Sequence, residues 1–149
     1  MDRSYVTANQ KERQRLEALV RRLDDRALAT PMDAGWTVAS VLGHLAFWDQ
    51  RIVVLTEHLR AGGDVSPMNE RDVDWINDAA KPMLLAMPPR QLADLAVSIA
   101  AAADRAVEAL TDAQLQSKTV TTKQINVLRA EHRREHLDEI DRALAHSAR

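Results

Sequence analysis

The chain has 149 residues, 46% hydrophobic and 28% charged, the composition of a folded domain with its own core rather than of a disordered segment. Its 20 basic and 22 acidic residues leave a net charge of -2, so no overall field favours nucleic acid or an anionic membrane, and no basic stripe with interleaved aromatics supports a nucleic-acid partner. The absence of cysteine excludes disulfides, thiolate metal ligands and a cysteine nucleophile.

The N-terminal stretch lacks the apolar core of a signal peptide. Thr7 and Gln10 have the spacing of a capping box, and Leu16, Leu19, Val20 and Leu23 form an apolar stripe, which predicts a first helix over Ala8 to Leu23. A loop through Thr30, Pro31, Asp33 and Gly35 leads into the stretch GWTVASVLGHLAFWDQRIVVLTEHL, Gly35 to Leu59. Thr37 can cap its start, and Gly62 or Gly63 can end it in a left-handed turn. Its apolar seam runs Val38, Val41, Leu45, Trp48, Ile52, Leu55 and Leu59, and His44 sits beside that seam, three residues after Val41 and four before Trp48. Ser66-Pro67 marks the start of a short helix through Trp75 and Ile76 to Ala80, after which Pro82, Pro88 and Pro89 are expected to break the chain. A long helix follows from Pro89 to Leu110, with Leu92, Leu95, Ile99, Ala102, Ala106 and Leu110 as its expected seam. The longest apolar run, Leu92 to Ala103, is interrupted by Asp94 and is too short to span a bilayer, so the expectation is one cytoplasmic domain, residues 1–149, with no membrane partner. Thr111 and Asp112 open a short turn, and Thr121 with Gln124 supplies a second capping box at the expected start of the last helix. Aromatic residues make up only 3%, too few for a β-rich domain of this size. The fold class is all-α: four long helices in a bundle, with an extended connection between the second and third from Gly62 to Pro89 that permits a crossover.

The last helix carries the second chemical signal. Ile125, Leu128, His132, His136, Ile140 and Leu144 share one stripe, so two consecutive positions on an otherwise apolar face are imidazoles. Residues four apart rise about 6 Å along a helix and lie nearly above one another, so both rings can converge on one ion. Burying either ring without a partner costs about 1–3 kcal/mol, which a bound metal offsets. With His44, a three-histidine metal site is the expectation, set against the plainer reading of HxxxH on a solvated face. His58, near a helix C-terminus, reads as structural, and His146 as part of a fraying tail. Glu131, Arg133, Arg134, Glu135, Asp138 and Glu139 read as a solvated charged face. Trp48 reads as core packing or a pocket wall, and Asp49 and Glu135 as candidate orienters of the ligands or a general base.

GWTVASVLGHLAFWD taken with HRREHLDEI resembles the DinB/YfiT-like superfamily of metal-binding four-helix bundles. The resemblance rests on a tryptophan before the helix, a histidine within it followed by L-A-x-W-D, and HxxxH on the last helix. It implies metal ligands on His44, His132 and His136, up-down-down-up topology, one divalent ion such as zinc or nickel, and homodimers in many members. Some relatives are thiol-dependent enzymes, among them mycothiol- and bacillithiol-dependent transferases and a maleylpyruvate isomerase. The expectation is therefore a metal-dependent thiol S-transferase or hydrolase, in which the site activates a low-molecular-weight thiol or water against a small-molecule substrate. The alternative is a non-enzymatic helical module with a structural metal or a buried histidine cluster.

Overall fold

The computed structural model describes residues 2–149 and is built from helices: α1 (Ser4–Arg22), α2 (Asp25–Leu28), α3 (Val38–Arg60), α4 (Glu70–Ala86), α5 (Pro89–Glu108), α6 (Asp112–Leu115), α7 (Lys118–Thr121) and α8 (Ala130–Ser147). The all-α expectation holds, and the four long helices α1, α3, α5 and α8 are the ones anticipated.

Local chemistry explains where each begins. Thr37 Oγ1 accepts from the Ser40 backbone N–H at 3.2 Å while Ser40 Oγ accepts from Thr37 N–H at 2.8 Å, a reciprocal cap that fixes the start of α3. Gly62 follows its last turn at φ +82°, as a left-handed helix stop requires. The expected box at Thr7 does not form, because α1 has already begun at Ser4. There the Asp2 carboxylate takes the Ser4 N–H at 2.8 Å, and buried Tyr5 donates its hydroxyl to Val107 O at 3.2 Å. Nor does Thr121 open the last helix. It ends α7, the chain then turns through Lys123 at φ +59°, and Ile125 and Leu128 pack outside any helix. The start of α8 is held from across the bundle: Asn9 accepts from Ala130 N–H at 2.9 Å and donates to Val127 O at 2.8 Å.

Two further expectations are corrected. The segment after Asn69 is a 17-residue helix that runs through Pro82. Proline there removes one backbone hydrogen bond to Asp78, but Pro82 and Asp78 are both exposed, so water takes the freed carbonyl. In α5 the buried stripe is Leu92, Ala93, Ala96, Ala100, Ala103 and Val107, whereas Leu95, Ile99, Ala102 and Ala106 lie at its edge. Close approach of α3 and α5 selects small side chains. At Gly43 of α3 an added Cβ would sit 2.6 Å from Leu92 Cδ2 and 3.0 Å from Leu84 Cδ2. Among the described residues, the helix long and apolar enough to cross a membrane is α3 rather than the α5 run, and more than half of its apolar stretch is buried inside the protein.

Contacts at matched depth give the helix directions. Asn9, Glu12 and Arg15 of α1 meet Ala130, Arg134 and Asp138 of α8 in the same order, so these two run parallel. Arg13 meets Asp104, and Tyr5 meets Val107, so α1 and α5 are antiparallel. His44 meets His132 while Asp49 meets Arg129, so α3 opposes α8.

The core is divided in two. Leu16, Leu42, Leu45, Leu92, Leu137 and Ile140 belong to one apolar cluster; Tyr5, Ile52, Val107, Leu110 and Ile125 belong to the other. Between them in chain order, on all four helices, lies a buried polar layer of Asn9, Asp49, Asp104 and Arg133, joined by Arg129 from the turn before α8. Arg133 is 0% exposed. Its guanidinium donates to Asp49 Oδ2 from Nε at 3.1 Å and from Nη2 at 3.0 Å, and lies 2.8 Å from Asp104 Oδ1. Arg129 donates from Nε to Asp49 Oδ1 at 2.8 Å, and Arg13 from Nε to Asp104 Oδ2 at 2.9 Å. The layer alternates cation and anion, as burial of charge demands.

Candidate metal centre

The three expected histidines come together. His44 reaches from α3, and His132 and His136 from one face of α8, with one ring nitrogen of each lying within 4.8 Å of the others. His44 Nε2 and His132 Nε2 are 3.2 Å apart. Two nitrogens each about 2.0–2.1 Å from a tetrahedral ion are separated by about 3.4 Å, so this edge already has the span a metal needs. The ring of His136 lies 4.8 Å, centroid to centroid, from each of the other two. Its Nδ1 is 2.8 Å from Glu139 Oε2, which orients the ring and leaves Nε2 as the free donor. The donor set fits a divalent ion.

Electrostatics prepare two of these rings as ligands. Burial, followed by the neighbouring His136, pushes His44 down from its usual 6.5 to about 4. Burial, then His136 and Arg129, pushes His132 down to about 2. Both rings are neutral at pH 7, with lone pairs available. Since the folded values lie below the unfolded one, the unfolded chain takes protons first as pH falls. We therefore expect metal-free protein to hold this contribution in full above pH about 6.5 and to lose it as pH falls through about 4, at about 1.4 kcal/mol per pH unit for each proton by which the folded and unfolded states differ. Urea unfolding of chelator-treated protein at pH 7 and pH 4.5 measures it. Equal midpoints for the wild type and a His44→Gln, His132→Gln double variant in their pH dependence would sink the expectation.

The histidines open onto a cleft of about 1300 Å³. Trp36 and Trp48 stand edge-on to His44 at 5.8 and 6.4 Å, and Trp48 Nε1 donates to Asn77 Oδ1 of α4 at 2.9 Å. Trp48 is thus a pocket wall, and α4 supplies the facing side through Val73, Asn77, Asp78 and Lys81. Lys81 lies over the Trp36 ring at 5.2 Å and donates to the Ala34 carbonyl. His146 and Ser147 also line the cleft, so the end of α8 belongs to it rather than to a loose tail. His58 stays outside, 3.0 Å from the Asp64 carbonyl, where it closes the turn after α3.

The charged candidates divide. Glu135 lines the cleft, and Glu131 and Arg134 are exposed as expected. Arg133 overturns the solvated-face reading, because it is fully buried between Asp49 and Asp104. Asp49 does not touch the histidines. It binds Arg129, whose Nη2 lies 3.4 Å from His132 Nδ1, and so neutralises a cation that would oppose a metal next door. Neither Arg129 nor Arg133 is distinguishable by sequence pattern from the surface arginines around it. Trp48, one turn after His44, was the legible sign of the cleft wall, whereas Trp36 carried no such signal beyond the family resemblance.

A family model described as the mycothiol maleylpyruvate isomerase N-terminal domain matches residues 10–146. The chain belongs to that family. The mycothiol maleylpyruvate isomerase N-terminal family falls within the DinB/YfiT-like helical superfamily, so the resemblance carried by the tryptophan, the mid-helix histidine and the HxxxH pair stands. The match spans α3 and all but the last residue of α8, and so includes all three histidines. No curated protein and no solved structure matches the chain closely enough to count as a relative.

Proposed function

We propose that the protein is a metal-dependent thiol S-transferase that holds one divalent ion, zinc or nickel, on His44, His132 and His136 and takes a low-molecular-weight thiol as cosubstrate. The observation that carries this reading is the convergence of three imidazole nitrogens on a cleft large enough for two small molecules. A bound ion would supply Lewis-acid charge at an open coordination position, lowering the pKa of a thiol or water there. The chain's own residues provide the rest. Glu139 fixes the His136 ring through Nδ1, and Asp49 cancels the Arg129 charge beside His132. Glu135 lines the cleft, and in this reading its carboxylate takes the thiol proton. Trp36 and Trp48 shield the nitrogens from bulk water on the α3 side. The sulfur then forms its bond to an electrophilic carbon of the second substrate as that carbon's bond to its leaving group breaks; the leaving group departs with the bonding electron pair and takes up the proton removed from the thiol.

The alternative, a purely structural ion, is less well supported because the buried layer of Asp49, Asp104 and Arg133 already ties α3, α5 and α8 together. Elemental analysis of protein purified without a histidine tag or chelator tests the first half. About one ion per chain is expected, following the open three-ligand site. Thiol-consumption assays with electrophilic acceptors, before and after chelation and metal return, test the second. A folded chain that neither holds nor accepts zinc or nickel would end the metal reading. A fully loaded chain that consumes no thiol and binds none would leave the structural alternative in place.

A further inference from the structure

Beside the histidine cleft is a second hollow of about 280 Å³, lined by Trp48, Arg51, Ile52, Met68, Lys123 and Arg129 among others. It shares Trp48, Val73, Asn126 and Arg129 with the cleft, so the two adjoin across these side chains. Its lining contains three cations and not one carboxylate, in a chain whose net charge is -2. Arg129 already has an anion in Asp49. Arg51 does not: among the described residues its side-chain hydrogen bond is to the Met68 thioether at 3.5 Å, and it stacks over the Trp48 ring at 5.7 Å. Asp49, two residues before it, is turned into the buried layer. Burial and the adjacent Arg129 charge depress the Arg51 guanidinium below its ordinary value, the mark of a cation lacking its counter-ion. Lys123 is held at φ +59°, a conformation that most non-glycine residues avoid.

We propose that Arg51 and Lys123 form an anion-recognition subsite for the carboxylate end of a small organic ligand whose reacting end lies at the histidines. A guanidinium and an ammonium supply the donors a carboxylate needs. Ile52, Pro67, Met68 and Val73 supply apolar walls that suit a short carbon skeleton and disfavour a more strongly hydrated phosphate dianion. The position of the ligand's other end rests on the transferase reading; the subsite itself stands without it.

The test is titration of succinate, its uncharged diamide and inorganic phosphate into the protein as purified. Calorimetry gives affinity, and the Trp48 indole N–H resonance gives location. Succinate is expected to bind saturably and move that resonance, while the diamide does neither. Arg51→Gln and Lys123→Asn should each weaken succinate by about tenfold. The second change keeps a residue that tolerates positive φ at an exposed position, so it does not depend on the first variant folding. His132→Ala should bind succinate as the wild type does. Equal binding of succinate and diamide, unchanged affinity in both charge variants, or tighter binding of phosphate would overturn the assignment. Loss of succinate binding in His132→Ala would also overturn it, by showing that the carboxylate sat on an ion at the histidines, with the metal reading intact.

Discussion

Asp49→Ala is expected to lower the unfolding free energy by roughly 3–5 kcal/mol, a large part of the total stability of a domain this size. The reason lies in what remains after the change. Asp49 is 1% exposed and accepts three hydrogen bonds from two arginines. Without it, Arg129 has no carboxylate among the described residues, and fully buried Arg133 keeps only Asp104 as a counter-ion. Asp104 is already shared with Arg13, so the layer carries surplus positive charge in an interior that cannot solvate it. The same surplus lies beside His132 and should weaken metal binding as well. Urea unfolding of the metal-free variant isolates the first effect, and metal titration the second. Asp49→Asn keeps the shape and loses the charge, so it should fall between the two. A loss below about 1 kcal/mol for Asp49→Ala would mean that water reaches the layer and that its charges are not truly buried.

His132→Ala should reduce zinc or nickel affinity by more than about a hundredfold, exceeding the 10–100-fold typical of losing a residue that merely orients a ligand. His44 and His136 would remain as an incomplete pair. In the metal-free state the same substitution has a second and opposite consequence. His132 resists protonation because it is buried near Arg129 and Arg133, and that resistance is what the folded protein forfeits in acid. Alanine carries no such liability, so the variant should lose less stability than the wild type between pH 6.5 and pH 4. Affinity measured by competition with a chromophoric chelator, and unfolding midpoints across that range, read the two effects separately. Retention of wild-type metal affinity would remove His132 from the ligand set.

The helices that carry the histidines were legible because their apolar residues repeat at helical spacing and because imidazoles on such a stripe are conspicuous. Position along the stripe was less so. Ala130, Arg133, Leu137 and Ile140 form the buried face of α8, and His132 and His136 flank it at the cleft edge. An arginine in a run of charges looks solvated whether or not it is, since its partners lie 84 and 29 residues away in Asp49 and Asp104. In α5 the sequence drew attention to Leu95 and Ile99 because they are the most hydrophobic. The helix instead buries its alanines, because contact distance to α3, set at Gly43, outranks hydrophobicity there. Pro82 misled for a related reason: proline disfavours a helix interior most where the lost hydrogen bond is sealed from water, and α4 has no buried residue.

The polar layer also imposes an order on folding. Both counter-ions of Asp49 arrive 80 and 84 residues later in the chain, and Asn9 waits 121 residues for the Ala130 N–H that it receives. During synthesis, α1, α3 and α5 can assemble their apolar faces, yet a bare aspartate sits where the interior should close. The nascent bundle cannot become dry until α8 has emerged. α8 is therefore the helix that closes the interior, and before it emerges the apolar faces of α1, α3 and α5 surround a carboxylate without its counter-ions.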